Sequence, residues 1–244
     1  MSIADNLARV QEQMDAACRR AGRLPGSVAL LGVSKTHPAA SIVEAYAAGL
    51  RRFGENRVQE FAEKQAALSA TGFFSGNAPA TFHLIGPLQS NKATRAAQLF
   101  DAIDTVDSAR LAEKLNQTAA AANKTLPILL EIKLSEEDTK HGLLPESAEL
   151  ALLLERAPEW THLQVRGLMT VPPYSENLEA TRPYFRRLSA LRDRLAQKNS
   201  GLALTELSMG MSHDFSVAIE EGSTCVRIGT AIFGARPALD KQQG

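Results

Sequence analysis

Short apolar runs alternate with longer amphipathic segments along most of the chain. The apolar runs predict β-strands at residues 27–34, 51–56, 82–86, 100–106, 127–133, 164–170, 204–210 and 225–229. The amphipathic segments predict helices at about residues 39–48, 56–70, 90–98, 108–122, 145–157, 177–198 and 213–221. The pattern therefore predicts eight strands, each followed by a helix.

Several of the predicted strands are continuously apolar, which is typical of a parallel sheet covered on both faces. Eight strand–helix units in a single domain spanning residues 1–244 favour an α/β fold of the (β/α)8 barrel type. The alternative is an open, doubly wound sheet. An additional helix is predicted at the N-terminus, where Ser2 and Asp5 have the spacing of a capping box and Gly22 ends the apolar periodicity.

The composition excludes several classes of function. Lys and Arg together number 27, as do Asp and Glu, so the charge gives no reason to expect nucleic acid or an anionic membrane as a partner. No apolar run approaches the roughly 20 residues needed to cross a bilayer, and the first residues lack a signal sequence. Cys18 and Cys225 are interpreted as buried thiols. These properties predict a soluble, cytoplasmic protein.

Lys35 follows the first predicted strand, in "LLGVSKTHP". Active sites of (β/α)8 barrels lie at the carboxyl ends of the strands, which would place this amine at the mouth of the barrel. Partial burial lowers the pKa of a lysine and makes it a nucleophile for carbonyl groups. The alternative is a surface lysine whose stem covers apolar atoms.

The turns after the seventh and eighth strands indicate a phosphate site, since barrels often bind phosphate there. In "SMGMSHDF", Gly210 allows a tight turn, Ser212 is a candidate N-cap and Asp214 lies in the first helical turn. In "RIGTAIF", Gly229 permits close approach of a ligand and Thr230 offers a hydroxyl. Ordinary strand-to-helix turns use the same residues, so this alternative stays open. A phosphorylated aldehyde would satisfy both Lys35 and these turns.

Arg227 lies within the apolar strand "CVRIG". A buried charge requires a partner. The sequence leaves two interpretations open, a structural ion pair inside the barrel and a hydrogen bond to a ligand.

Five blocks of sequence together resemble one known family. The blocks are "VSKTHP", "FGENRVQE", "HLIGPLQSNK", "RGLMTVPP" and "LSMGMSHDFSVAIEEGSTCVRIGTAIFGAR", in this order from about residue 3 to residue 236. They are similar to the pyridoxal phosphate homeostasis proteins, single-domain relatives of the barrel half of alanine racemase. The resemblance implies a modified (β/α)8 barrel of the fold-type III class that binds pyridoxal 5′-phosphate (PLP).

The resemblance also implies the roles of individual residues. The positions expected to bind the cofactor are Lys35, Asn56, His83, Ser208, Gly210, Arg227, Gly229 and Thr230. Lys35 matches the lysine that forms a Schiff base with the cofactor. Ser208, Gly229 and Thr230 match phosphate-binding positions, and Arg227 matches the arginine beside the pyridine nitrogen. Asn56 and His83 match positions that line the pocket.

Three residues depart from the family pattern. His213 stands where an acidic or small polar residue is expected, and Leu134 and His141 stand where small or polar residues are commoner. None of them coincides with Lys35 or with the phosphate positions, so PLP binding is still expected. The five histidines show no metal-ligand spacing, and no metal is predicted.

The chemistry of Arg227 predicts little or no turnover. Arginine can only donate to the ring nitrogen, and an unprotonated ring is a poor sink for a carbanion. Tyr174 is the one tyrosine on the correct side of the barrel to act as a second base, and an exposed loop residue is the simpler interpretation. The expected function is therefore that of a PLP carrier in vitamin B6 homeostasis, a monomer by default, with PLP-dependent apoenzymes as acceptors. The alternatives are an amino-acid racemase, a Schiff-base aldolase and a scaffold for a protein partner.

Overall fold

Eight parallel strands form a closed barrel in a computed structural model that describes residues 2–75, 79–135 and 141–235. Each strand pairs with the next along the chain, and the eighth pairs with the first. The strands are β1 (Ala29–Val33), β2 (Arg52–Glu55), β3 (Thr81–Leu84), β4 (Ala102–Val106), β5 (Leu126–Glu131), β6 (Leu163–Met169), β7 (Glu206–Ser208) and β8 (Cys225–Ile228). The predicted (β/α)8 barrel is confirmed, and the open sheet is excluded.

Helices surround the barrel and connect successive strands. They are α1 (Ile3–Arg20), α2 (Ala39–Ala47), α3 (Val58–Ala70), α4 (Ala93–Leu99), α5 (Ala109–Ala121), α6 (Ala148–Arg156), α7 (Arg182–Lys198), α8 (Phe215–Glu220) and α9 (Thr230–Phe233). The additional helix α1 begins with the predicted capping box between Ser2 and Asp5. It packs against α8 and α9 and so covers the last strands of the barrel. No helix in the described ranges is long and apolar enough to cross a membrane.

Several predicted boundaries were wrong, among them those of α7 and β7. Helix α7 begins at Arg182 rather than near residue 177, because Pro183 in its first turn needs no hydrogen-bond acceptor there and residues 178–181 form a separate 3-10 turn. Strand β7 covers only Glu206–Ser208 of the predicted 204–210. The preceding residues form tight local turns, and Gly210 leaves the strand with φ of +97°.

Strand β1 shows how the fold orients its side chains. Leu30 packs on the main hydrophobic core, between barrel and helices. Leu31 and Val33 instead form a separate apolar cluster with Cys225 and Ile85, inside the barrel. Successive side chains of a strand point to opposite faces. Lys35 follows two positions after Val33, just beyond the end of the strand.

The apolar loop after α3 partly folds back onto the barrel. Phe73 begins a short 3-10 turn, and its ring lies 4.9 Å from Tyr46 and 6.4 Å from Phe82. Phe74 also reaches the Phe82 ring at 6.1 Å, but 45 % of it is exposed.

Candidate functional site

Lys35 lies at the carboxyl end of β1, between a buried residue and a strained one. Ser34 is fully buried, Lys35 is half-buried, and Thr36 is exposed. Thr36 has φ of +66°, a left-handed conformation that costs a non-glycine residue about 1–2 kcal/mol. Its backbone N–H donates to Glu60 at 2.6 Å. The strand thus ends in a fixed bend directly after Lys35.

A buried polar cluster lies behind this bend, formed by Ser34, Glu55, Glu60 and Lys64 and called here the Lys64 cluster. The Lys64 ammonium donates to Glu55 and to the Ser34 carbonyl, both at 2.8 Å, and lies 2.8 Å from Glu60. The Ser34 hydroxyl donates to Glu55 at 2.7 Å. Burial raises the pKa of Glu55, although the Lys64 charge opposes the shift. Sequence reasoning missed this cluster, because "FGENRVQEFAEK" is also typical of a solvated helix.

Arg227 projects from β8 among neutral acceptors. Its guanidinium donates to the Ser208 hydroxyl at 2.7 Å and to the Thr170 carbonyl at 2.8 Å, and Arg227 is only 4 % exposed. Burial lowers the pKa of Arg227, although the Asp104 charge is among those that oppose this shift. Among the described residues no carboxylate forms an ion pair with Arg227, so the first of its two interpretations, a structural ion pair, finds no partner there. The cation is held in place without being neutralised.

The two turns predicted to bind phosphate are joined by one hydroxyl. The Ser212 hydroxyl accepts from the Gly229 N–H at 3.3 Å and the Ala231 N–H at 3.5 Å. Gly210 makes the first turn with a positive φ, which glycine adopts without strain. Thr230 begins α9 and is exposed at the same mouth. Backbone N–H groups at these turns thus already surround one oxygen atom.

The predicted capping role of Ser212 was wrong. Asp214 occupies the N-cap position of α8. Its Oδ1 atom accepts from the Met211 N–H at 2.7 Å and closes the turn before the helix. Because the turn is closed by Asp214, the hydroxyl of Ser212 faces the next turn instead.

Asn56 follows β2 and is adjacent to Lys35 in the barrel. Its Oδ1 atom is buried and has no hydrogen-bond partner among the described residues. Buried polar atoms are nearly always paired, so an orphaned one calls for an explanation such as a ligand. Gly86, after β3, lies against the Asn56 backbone so closely that a Cβ at residue 86 would clash with the Asn56 carbonyl. This contact fixes the position of Asn56.

His83 lies apart from the other predicted residues. Its Nδ1 atom is 3.2 Å from Asp104, and the pair lines a cavity of about 240 Å³ together with Arg52, Arg166 and Glu206. Arg52 and Glu206 are the first residues of their strands, so this cavity lies toward the amino-terminal end of the barrel. Burial would lower the pKa of His83, but the Asp104 carboxylate outweighs it and the net shift is upward. A role for His83 beside the cofactor stays a prediction.

Sequence reasoning did not assign two carboxylates at neighbouring strand ends to the site, and one of them, Glu131, lies close enough to Arg227 for their charges to interact. Burial raises the pKa of Glu131, the last residue of β5, and the nearby charge of Asp107 adds to the shift. Burial likewise raises the pKa of Asp107. In the sequence, the one signal that could have indicated a role for Glu131 is its position at the end of an apolar run that predicts a strand.

Tyr174 lies beside His213, one of the three residues that depart from the family pattern. The Tyr174 ring lies 5.1 Å from that of His213, and Tyr174 is 75 % exposed, as expected for a loop tyrosine. His213 Nε2 is 3.5 Å from Asp214 Oδ2. Leu134 is buried, while His141 is exposed.

Comparison with known proteins identifies the family. Residues 5–237 match the family model described as alanine racemase, N-terminal domain. The pyridoxal phosphate homeostasis protein of Aquifex aeolicus is 45 % identical over 236 residues, which cover 97 % of this chain and 99 % of that protein. The chain belongs to this family. The Escherichia coli member is 43 % identical, with 96 % of this chain and 97 % of that protein covered. The resemblance stated from the five sequence blocks is confirmed.

Solved structures agree with this family. PipY of Synechococcus elongatus PCC7942, determined with PLP bound, is 41 % identical and has a TM-score of 0.83. The alignment covers 96 % of this chain and 100 % of the PipY chain. An alanine racemase of Clostridium difficile shares only the fold, with 15 % identity and a TM-score of 0.66. The alignment covers 97 % of this chain but only 58 % of the racemase.

Proposed function

We propose that this protein binds PLP at the carboxyl end of the barrel and acts as a PLP carrier in vitamin B6 homeostasis. The observation that carries the proposal is the common location of two features, the amine-bearing end of β1 and the paired turns after β7 and β8. The relatives named for PLP homeostasis and the PLP-bound structure of PipY support it. These observations give no support to the two alternatives that need no PLP, a Schiff-base aldolase and a scaffold for a protein partner.

The described residues fit this cofactor. Lys35 at the end of β1 would hold the cofactor through its aldehyde group, with which lysine amines combine. The N–H groups now gathered on the Ser212 hydroxyl suit the phosphate oxygens, as does the hydroxyl of Thr230. The orphaned Oδ1 of Asn56 supplies one further acceptor. When bound, PLP supplies a reactive aldehyde and a conjugated ring.

We also propose that turnover is slow or absent. The Arg227 guanidinium has hydrogen-bond donors but no acceptor, so it can only donate to a ring nitrogen. The ring nitrogen then stays unprotonated, and the ring is a weak electron sink. Tyr174, the candidate second base, is largely exposed rather than directed by buried partners. The proposal extends to a single-domain cytoplasmic monomer that transfers PLP to apoenzymes.

The decisive experiment is optical. Purified protein mixed with PLP is expected to develop the yellow absorbance of a Schiff base, and borohydride should fix the label on the peptide that contains Lys35. Lys35→Ala should bind without this absorbance and take up no label. A colourless wild-type mixture with no fixed label would refute the proposed site.

Turnover is tested separately with α-deuterated amino acids. A carrier should release no deuterium beyond the rate with free PLP. Release that depends on Lys35 and exceeds this rate would instead establish the racemase alternative and contradict the proposal of slow turnover.

A further inference from the structure

We propose that Glu60 and Lys64, both on α3, are positioning residues that clamp the backbone on either side of Lys35 and so aim its amine into the barrel mouth. This inference rests on the proposed PLP-binding function. It assigns a role to two charged residues that do not themselves need to touch the cofactor.

The clamp holds both neighbours of Lys35. The Lys64 ammonium donates to the carbonyl of Ser34, which precedes Lys35, at 2.8 Å. The Glu60 carboxylate accepts from the N–H of Thr36, which follows Lys35, at 2.6 Å. Lys64 and Glu60 are one helical turn apart and form an ion pair at 2.8 Å. One rigid unit on α3 therefore grips the chain immediately before and after the reactive residue.

This grip acts beyond the end of the sheet, where the backbone is also held by a turn hydrogen bond, from the His37 N–H to the Ser34 carbonyl at 3.1 Å. The last residue of β1 is Val33, and the Ser34 N–H still donates to the Gly54 carbonyl of β2 at 3.1 Å. Two residues later Thr36 adopts its left-handed conformation, which a threonine does not hold unless its surroundings impose it. The Glu60 carboxylate is the group that receives the N–H of this residue.

The burial of the clamp distinguishes it from a surface ion pair. The Lys64 side chain is 10 % exposed and Glu55, its second carboxylate partner, is fully buried. Burial acts to raise the pKa of Glu60, but hydrogen bonds from Lys64 and Thr36 outweigh it, and the net shift is downward. Glu60 is thus held as a carboxylate at neutral pH, the form that accepts most strongly from both donors.

Loss of the clamp should affect the covalent step more than binding. If Thr36 relaxes, the peptide group after Lys35 rotates and the amine loses its approach to the aldehyde, while the turns after β7 and β8 stay in place. A misplacement of about 1 Å can slow a reaction by roughly 100-fold. We expect Glu60→Ala to slow Schiff-base formation at least tenfold.

The test separates covalent from noncovalent binding with two ligands. Stopped-flow absorbance gives the rate of Schiff-base formation with PLP, and titration with pyridoxamine 5′-phosphate, which has an amine instead of the aldehyde, gives the noncovalent affinity. Glu60→Ala should lower the rate tenfold or more while the affinity for pyridoxamine 5′-phosphate stays within twofold. Glu60→Gln keeps a neutral acceptor and should lower the rate about threefold. Glu63→Ala, an exposed position on the same helix, should match the wild type.

Each outcome decides between the clamp and its alternatives. Equal losses of rate and of pyridoxamine 5′-phosphate affinity would show a general structural role and overturn the inference. Unchanged rates in both Glu60 variants would also overturn it. If Glu60→Ala does not fold, the threefold effect of Glu60→Gln decides alone. Failure of the proposed function itself is recognised separately, because the wild type would then form no Schiff base.

Discussion

Gly86→Ala tests whether the position of Asn56 depends on a close backbone contact. The added Cβ would clash with the Asn56 carbonyl oxygen and would lie 2.8 Å from Asn56 Cα and 2.9 Å from its carbonyl carbon. Two carbon atoms normally stay about 3.5–4.0 Å apart, so the Asn56 backbone must move by roughly 0.6–1.2 Å. The clash is with backbone atoms, which cannot rotate aside as the end of a flexible side chain can.

The cost of this displacement follows from the packing of the site. Overpacking of this kind destabilises a protein by about 1–3 kcal/mol, which for a chain of this size lowers the Tm by roughly 2–12 °C. The Asn56 amide moves with its backbone, so we also expect weaker binding of pyridoxamine 5′-phosphate.

The assay combines thermal unfolding, followed by circular dichroism, with the ligand titration. Gly201→Ala is the matched control, since a Cβ there meets no atom within 4 Å. It should change the free energy of unfolding by no more than about 0.5 kcal/mol. A Gly86→Ala protein with the Tm and affinity of the wild type would refute the argument that this contact fixes Asn56.

Three further predictions concern charge and the thiol. Ser208→Ala leaves one N–H of the buried Arg227 unpaired and should destabilise the protein by about 1–3 kcal/mol in urea unfolding; a smaller loss would mean that another acceptor replaces the hydroxyl. A hydrogen bond from Arg182 lowers the folded-state pKa of Glu220. The pair therefore stabilises the folded protein fully above the unfolded-state pKa of about 4.3, and this stabilisation is lost as the pH falls through the folded-state pKa. Since Glu220 is partly exposed, Arg182→Ala should cost only about 0.5–1 kcal/mol from this pair at pH 7, and this cost should shrink as the pH falls below about 4.3. Burial raises the pKa of Cys225 to about 12, so a thiol reagent should modify it only on unfolding, and rapid modification of the folded protein would contradict the buried position.

The hydrophobic pattern predicted the order and type of the elements because each carries its own local signal. Buried parallel strands need continuous apolar runs, and surface helices need one apolar face. The capping box of α1 is equally local, since Ser2 and Asp5 satisfy each other's N–H groups within one turn. Boundaries failed where a competing local signal was overlooked, as with Pro183 at the start of α7.

The candidate site was predictable in part. A lysine just after an apolar strand and glycines after two later strands mark the mouth of a barrel, because the topology brings all strand ends to one edge. The interaction of Ser212 with Gly229 was not predictable, since it joins two turns through a hydroxyl that has an equally good local use as a helix cap.

Local sequence patterns specify the succession of strands and helices, the capped first helix and the residues at the strand ends. Three-dimensional packing is needed to place His83 opposite Asp104 near the other end of the barrel and to bury Lys64 against Ser34. The reason is that local patterns depend on neighbours a few residues apart, whereas these contacts depend on strand register and on how α3 docks, which link residues about 20 to 30 positions apart.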